Sequence, residues 1–368
     1  MFASLRATAS TVAPGLAAAA ATAGTATLVA KALPNRLHIS AIPVSIVLGA
    51  AAANLGPLAA PSVAAKLKPG LSLATSTVLR AGIVCVGAKL SGAQIMELGW
   101  TTVPAAACSV GAGVLLIPRL AAAAGLAPRL GSLLAAGTSI CGVTAISAVA
   151  PAIGATQAEI ALAVANVVAY GTLGMVSYPH LAHALFPAED SKSIGLFLGL
   201  AVHDTAQVMG CAASYAEQYA DAAVVGAAAV AKLTRNVFLA GVVPLMAVRH
   251  GGGGGRVSLA TAVPTFVAGF VGMAALRTAG DAQLASGGRA LWLLEKERWR
   301  AAADWVGGVL GTKALLGTGL AGVGLSVKLE SFRGVGPKVF LVGGAGASLV
   351  GGVGLSVALL VSSLRAQG

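Results

Sequence analysis

The sequence predicts an all-α polytopic membrane protein with ten or eleven transmembrane helices. Only 10% of its 368 residues are charged and the mean hydropathy is +0.87. A soluble domain carries about 25% charged residues, so this composition excludes an ordinary soluble surface. Apolar runs near the length that a helix needs to cross a bilayer recur along the chain. They are continuously apolar and do not alternate with period two, which argues against a membrane β-barrel.

The N-terminal segment, residues 1–33, fits two interpretations. It contains Arg6, several hydroxyl residues and no acid, and the first acid of the chain is Glu97. Such a start resembles an organelle transit peptide. The stretch Thr11–Val29 equally fits a weak, alanine-rich first span. The two interpretations remain open, and so does the choice between ten and eleven spans.

Ten further segments are predicted to cross the membrane. In chain order they are His38–Leu58, Leu71–Leu90, Trp100–Ile117, Gly131–Ile153, Glu159–Tyr178, Ile194–Ala213, Ala222–Ala247, Val257–Leu276, Trp305–Val327 and Val339–Leu364. The connections are short, except for an expanded loop at 277–304 whose charged cluster Glu295–Arg300 predicts a surface helix. The tract Gly251–Gly255 predicts a flexible linker.

Two of these segments indicate internal symmetry. Gly131–Ile153 and Trp305–Val327 are both interrupted by glycine, and each is followed by one clean span. They occupy corresponding positions in two five-span halves, predicted at 38–180 and 191–364. Five is odd, so the halves would be inverted repeats, each with a broken helix. Paired interrupted helices of this kind indicate a transporter's binding site.

The stretch GTSICGVTAI, Gly137–Ile146, weakens a span near its midpoint. Glycines permit unwinding, and a helix broken inside the bilayer must face protein or water. The N-terminal end of a half-helix carries partial positive charge and unpaired donors, which suit an anion. Thr138, Ser139 and Thr144 would add hydroxyl donors. A close contact between helices, with no ligand, explains the same small residues equally well.

Ionisable residues within apolar segments are costly and indicate function. They are Arg80, His203, Asp204, Lys232 and Arg235. Lys232 and Arg235 are spaced to share a helix face, as are His203 and Gln207. Cations outnumber acids here, which favours an anionic substrate. An ion pair of Asp204 with Arg235 or Arg80 that holds two helices together is the alternative.

The charge and cysteine patterns indicate neither nucleic-acid binding nor a metal or redox site. The net charge of +12 comes mostly from basic residues between apolar runs, where membrane topology explains them, and no nucleic-acid signal is present. Their distribution favours a cytosolic or organelle-interior N-terminus. The four cysteines, Cys85, Cys108, Cys141 and Cys211, lack the spacing of a zinc site or a redox pair. We expect no metal and no organic cofactor.

Five separated segments carry a family resemblance. They are VLRAGIVCVGAKLS (Val78–Ser91), AGTSICGVTAI (Ala136–Ile146), AVHDTAQVMG (Ala201–Gly210), AKLTRN (Ala231–Asn236) and LAGVGLSVKLESFRGVGPK (Leu320–Lys338). In this order they resemble the YeiH-type sulfate exporter family of bacterial inner-membrane proteins. The resemblance runs from about Ile39 to Val361. The chain departs from the family in its alanine and glycine richness, its N-terminal stretch and the loop at 277–304.

The resemblance implies an inverted-repeat fold similar to bile-acid:sodium symporters, with two broken helices crossing near the membrane centre. The expected function is secondary active transport, as an exporter, of a small oxyanion such as sulfate. The expected substrate-binding residues are Thr138, Ser139, Cys141, Gly142, Thr144, Gly317, Thr318, Gly322, Gly324, Arg80, Lys232 and Arg235. The expected coupling or protonation residues are His203, Asp204, Gln207 and Asn54.

Two other functions remain open. A cation or carboxylate transporter of the same fold, coupled to sodium or protons, would use Asp204, Asn54 and exposed carbonyls. An intramembrane enzyme would use Cys141 or Ser139 with His203, although we expect no enzyme. The expected partners are a small anion, the lipid bilayer, protons or sodium, and a second copy in a homodimer. We expect the membrane to be a plasma membrane or an organelle inner membrane, and the sequence leaves both open.

Overall fold

A computed structural model describes residues 2–33, 41–55, 57–89, 92–187, 190–251, 265–328 and 336–367. Within these ranges the chain is helical and forms no named strand. The α-helices are α1 (Phe2–Ala32), α2 (Ala41–Leu55), α3 (Pro61–Leu73), α4 (Leu79–Val86), α5 (Gly92–Ala123), α6 (Pro128–Ser139), α7 (Val143–Ala152), α8 (Gln157–Leu185), α9 (Ser191–Ala201), α10 (Thr205–Tyr219), α11 (Ala223–Val237), α12 (Leu239–Arg249), α13 (Thr265–Ala285), α14 (Lys296–Asp304), α15 (Gly317–Ser326) and α16 (Pro337–Gln367).

The helices confirm an integral, multi-pass, all-α membrane protein. In the described part of the chain, 7 helical stretches are long and apolar enough to cross a bilayer: Ser10–Ala32, Pro61–Lys89, Thr101–Ala123, Ala158–Leu185, Ala223–Arg249, Lys296–Ser326 and Pro337–Gln367. Shorter apolar helices are α2, α7 and α9. Four of the ten predicted spans are not among these stretches. Interruptions divide Gly131–Ile153 and Ile194–Ala213 into half-helices, each too short to cross alone. His38–Leu58 corresponds to the 15-residue α2, and Val257–Leu276 begins outside the described residues.

The chain forms two compact units. The first comprises Met1–Ala93, Glu217–Ala220 and Thr265–Glu330, and the second comprises Gln94–Ala216, Asp221–Pro264 and Ser331–Gly368. The predicted repeats follow other boundaries and stay a prediction. The N-terminal segment forms α1, and its residues Ser10–Ala32 are long and apolar enough to cross a membrane. Of the two interpretations of this segment, the helix fits a first span.

Glycines bring the helices of the first unit together. A Cβ atom at Gly49 of α2 would lie 2.8 Å from the backbone nitrogen of Leu325 in α15. A Cβ atom at Gly324 would lie 2.8 Å from the Cα atom of Ile46. Larger residues would force these two backbones apart, so the glycines serve close helix packing, as is common in membranes.

The predicted break in Trp305–Val327 was wrong. Residues Trp305–Leu316 form a π-helix that continues directly into α15. Gly317, at the junction, has φ −58° and ψ −48°, which are ordinary helical angles. Glycine permits an interruption but does not require one, and here the backbone hydrogen bonds continue through the glycine-rich sequence.

The loop expected at 277–304 is also shorter than predicted. Helix α13 continues through Ala285, and the chain returns to helix at Lys296. The predicted surface helix is present as α14, which buries Trp299 and Ala303 and exposes its charged face. The Trp299 indole nitrogen donates to Asp281 at 2.9 Å, which ties α14 to α13.

The second unit packs around α6, which is buried from Leu130 to Ser139, and around the face of α7 that holds Ala145, Ile146, Val149 and Ala150. Local signals fix the helix ends. Pro128 stands in the first turn of α6, where its missing N–H costs nothing. Thr156 and Glu159 form a reciprocal capping box at the start of α8, with the carboxylate 2.8 Å from the Thr156 nitrogen. This cap explains the glutamate at a span boundary.

Candidate functional site

The first interruption lies in the predicted motif. Helix α6 ends at Ser139, α7 begins at Val143, and the three residues between them leave the helix. Gly142 has φ +68° and ψ −129°, a conformation that L side chains rarely adopt. Its N–H donates to the Gly137 carbonyl at 3.0 Å, which closes the end of α6. The break predicted from GTSICGVTAI is therefore present.

The second interruption lies between α9 and α10. Helix α9 ends at Ala201, Val202 is extended with φ −80° and ψ 140°, and α10 begins at Thr205. The segment Ile194–Ala213, which was predicted as a continuous span, is therefore interrupted. The two interruptions are separated by α7, α8 and α9 and do not occupy corresponding positions of two five-span halves.

The two interruptions touch each other. A Cβ atom at Gly142 would lie 3.0 Å from both Cβ and Oδ2 of Asp204, and 3.2 Å from its Cα atom. Gly142 thus lets the backbone of one break approach the acid of the other. Four half-helix ends meet within the second unit: two C-terminal ends, of α6 and α9, and two N-terminal ends, of α7 and α10.

The Lys232 ammonium group joins the two C-terminal ends. Lys232 is 0% exposed on α11. Its Nζ atom donates to the carbonyl oxygens of Ile140 at 2.6 Å and Val202 at 3.1 Å, and also to that of His203. An ammonium group has three donors and no acceptor, so these three carbonyls use its full capacity.

Arg235, one helical turn further along α11, also binds the carbonyl ends of α6 and α9. It is also 0% exposed. Its guanidinium group donates to the carbonyl oxygens of Thr138, Ser139, Gly199, Leu200 and Val202. The C-terminal end of a helix carries partial negative charge and unpaired carbonyls, which a cation satisfies. The shared face predicted for Lys232 and Arg235 is present, and it clamps both broken helices at their carbonyl ends.

Asp204 caps the N-terminal end of α10. Its Oδ1 atom accepts from the Ala206 N–H at 2.8 Å, and Gln207 reaches back to accept from the Asp204 N–H at 3.2 Å. The Gln207 amide also donates to the Val168 carbonyl at 3.3 Å and the Thr172 hydroxyl at 3.2 Å, both on α8. Asp204 is half-buried. It therefore presents a carboxylate at the point where the breaks meet.

His203 lies in the break, not on α10, so the helix face predicted for His203 and Gln207 was wrong. The ring is 2% exposed. Neither ring nitrogen has a hydrogen-bond partner among the described residues, and neither does the Ser139 hydroxyl. The nucleophile–base hydrogen bond that an intramembrane Ser139–His203 enzyme would use is therefore not formed in the described structure.

The remaining motif residues divide between the two half-helices. Thr138 and Ser139 are in the last turn of α6, the carbonyl end, where Arg235 takes their carbonyls. Cys141 lies in the break with its thiol buried, just before the first turn of α7. Thr144 is exposed in the same turn. The donor end of the motif is thus the start of α7, not the end of α6.

Six predicted site residues belong to the first unit: Asn54, Arg80, Gly317, Thr318, Gly322 and Gly324. Arg80 is exposed, and its guanidinium carbon lies 5.8 Å from the ring centroid of Phe266. The Asn54 amide donates to the Ala50 and Val327 carbonyls, both at 2.7 Å. In the described structure these contacts are structural ones within that unit.

Sequence reasoning missed Asn236 and the backbone carbonyls. Asn236 is 3% exposed, and its amide lies 3.4 Å from the Thr205 hydroxyl at the start of α10. Asp204 followed by Gln207 is a capping pattern that could have located the start of α10. The carbonyls have no sequence signal, because every residue supplies one.

Comparison with known proteins places this sequence in a family. The family described as Conserved hypothetical protein 698 matches residues 14–343. The chain belongs to that family. A UPF0324 membrane protein of Caulobacter vibrioides is 34% identical over 75% of this chain and 57% of its own length. One of Ralstonia nicotianae is 33% identical over 68% of this chain and 71% of its own length.

A UPF0324 membrane protein of Corynebacterium glutamicum is similar over a longer stretch. It is 29% identical over 88% of this chain and 86% of its own length. No solved structure matches the chain. The match to the Conserved hypothetical protein 698 family spans both interruptions, Lys232 and Arg235.

Proposed function

We propose that the protein is a secondary active transporter of a small oxyanion such as sulfate, and that its substrate site lies where the two interruptions meet. The observation that carries the proposal is the contact of Gly142 with Asp204, beside two cations that occupy the carbonyl ends of both broken helices. Broken helices at mid-membrane are typical of transporter binding sites.

Local charge favours an anion. Two buried cations, Lys232 and Arg235, are accompanied by one carboxylate, Asp204, within this contact region. In a low-dielectric interior a net positive charge attracts an anion strongly. The first turn of α7 adds backbone N–H groups and the exposed Thr144 hydroxyl. Lys232 and Arg235 therefore act as positioning residues that also supply potential, because their donors are committed to carbonyls.

The same bonds weigh against the sodium-coupled alternative. Exposed carbonyls are the ligands that an unwound helix offers to a sodium ion. Here the carbonyls of Ile140, Val202 and His203 surround the Lys232 ammonium group, which takes the place that such a cation would occupy. Proton coupling through Asp204 is compatible with the geometry, since this half-buried carboxylate lies at the contact itself.

The test is transport by the purified full chain in proteoliposomes. We expect saturable exchange of labelled sulfate or a related oxyanion that needs no sodium and responds to a proton gradient. A thermal-shift screen with sulfate, sulfite, taurine, dicarboxylates and phosphate would identify the substrate, since a ligand of the folded state raises its stability. Stabilisation by sodium, with no response to any of the anions, would contradict the proposal.

A further inference from the structure

A cavity of about 460 Å³ lies within the first unit, in the size range of small-molecule sites. It is bordered by the ends of α2 and α15 and by one side of α3. Its wall is apolar and includes Leu58, Leu67, Leu71 and Leu325. Leu67, Leu71 and Leu325 also belong to the buried cluster that joins these helices, so the wall is a fixed part of the fold.

Two lysines line the same cavity. The Lys328 Nζ atom donates to the Ala53 carbonyl at the end of α2, at 2.9 Å, which holds the ammonium group in place. One of its three donors is thereby used. Lys68 lies on α3 and is exposed. No aspartate or glutamate is among the described residues that line the cavity. The cavity therefore combines an apolar wall with positive charge that none of its described lining residues neutralises.

The two lysines lie nearer the ends of their helical stretches than the middle. Lys328 follows the last residue of α15 by two positions, and Lys68 is the eighth residue of the stretch Pro61–Lys89. Helices that cross a bilayer end at the level of the lipid headgroups. Basic pockets between transmembrane helices at this level suit anionic headgroups, while apolar walls below them suit acyl chains.

We propose that this cavity binds an anionic phospholipid, with an acyl chain against the leucine wall and the phosphate between Lys68 and Lys328. A free phosphate would bind the lysines but would leave the leucine wall exposed to water. A zwitterionic lipid would use the wall, but its own ammonium group would offset the attraction of the lysines. The combination of the two features selects a lipid with net negative charge. This site lies in a different unit from the proposed transport site.

The experiment compares phosphatidylglycerol with phosphatidylcholine of the same chain length, bound to the detergent-purified full chain and measured by native mass spectrometry and thermal shift. We expect phosphatidylglycerol to bind more tightly and to raise the melting temperature. Because each lysine near an anionic headgroup contributes about 1 kcal/mol, K68Q should weaken binding roughly fivefold. The double variant K68Q/K328Q should weaken it by roughly thirtyfold.

The matched control is K66Q, because Lys66 is exposed on the same helix and does not line the cavity. It should bind the lipid as the unchanged protein does. K328R keeps the charge and should also retain binding, which separates a loss of charge from a loss of folding. Equal binding of both lipids, equal loss in K66Q, or equally tight binding of soluble glycerol phosphate would overturn the proposal.

Discussion

Gly142 lies directly against Asp204, so that the interruption of one helix touches the interruption of another. The contact requires glycine at position 142 for two reasons. The backbone there has a positive φ, and a Cβ atom would come within 3.0 Å of Asp204. Close by, Lys232 and Arg235 satisfy the carbonyl ends of both broken helices. A small set of bonds in the second unit thus holds a backbone geometry that lipid alone could not accommodate.

Replacing Gly142 with alanine should abolish transport, because the methyl group would push the two breaks apart. The backbone strain alone should cost about 1–3 kcal/mol. Gly154→Ala is the matched control, since Gly154 also has positive φ (63°) but has open space around it. It should lose stability and keep transport. Both variants are measured by thermal unfolding and by proteoliposome exchange, and equal transport in the two would contradict the role given to the contact.

Replacing Lys232 with methionine should destabilise the second unit. The change leaves three buried carbonyl oxygens without their donor, and each unsatisfied buried group costs about 1–3 kcal/mol. We expect a loss of several kcal/mol, seen as a lower denaturation midpoint. The same substitution at the exposed Lys296 should change stability by less than about 0.5 kcal/mol. A stable Lys232→Met protein would show that the clamp is dispensable.

Substitutions of Asp204 should separate its role as a helix cap from its role as an ionisable group. Asparagine caps helices as well as aspartate does, so Asp204→Asn should fold normally and lose only the ionisable group. Asp204→Ala should cost about 1 kcal/mol through loss of the cap to Ala206. If Asp204 carries the proton, the asparagine variant exchanges anion with no response to a pH gradient. An unchanged pH response in that variant would move the coupling to another group.

We expect Gly324 to serve the close packing of α15 against α2 and not to bind substrate. Alanine there would meet the backbone of Ile46 and should destabilise the first unit. The comparison is Gly317→Ala on the same helix, where the nearest atom to a Cβ would be the Thr312 carbonyl oxygen at 3.8 Å. That variant should be neutral or stabilised by up to about 1 kcal/mol. Similar midpoints for the two proteins would contradict this account.

Asp190 should give a pH-dependent contribution to stability. It lies before α9 and accepts from the Ser193 N–H at 3.0 Å, with Arg365 at 3.7 Å. Partial burial acts to raise the pKa of Asp190, but hydrogen bonds from Ser362 and Ser193 and the charge of Arg365 together hold that pKa below its ordinary value. A lowered pKa means stability that is present above the unfolded value, near about 3.9, and lost as pH falls through the folded value.

The prediction is that Asp190→Asn is less stable than the unchanged protein at pH 7, by about 0.5 kcal/mol, since an anion at a helix N-terminus contributes that order of energy. The difference should shrink below about pH 4, where the carboxyl begins to be protonated in the unfolded chain. Thermal unfolding from pH 7 to pH 3 measures it. Asp304→Asn, at an exposed position, is the control for a general effect of removing a charge. A gap that stays constant across the range would argue against the cap.

The membrane class, the helical content and the first interruption follow from the amino-acid sequence without any knowledge of the fold. Composition decides the class, because so few charged residues cannot cover a soluble surface. Gly142 marks the first break, because the backbone angles there suit glycine almost alone. Lys232 and Arg235 were identified for the same kind of reason, since a cation in an apolar span is too costly to be incidental.

The place of the second interruption and the role of the cations depend on how the helices pack. The chain breaks at Val202–Asp204, which contains neither glycine nor proline, and it stays helical through the glycines of α15. Glycine serves unwinding and close packing alike, and the choice depends on the neighbouring helix that the sequence does not show. The acceptors of Lys232 and Arg235 are backbone carbonyls, which are chemically identical at every position, so the folded chain alone distinguishes the ones that are bound.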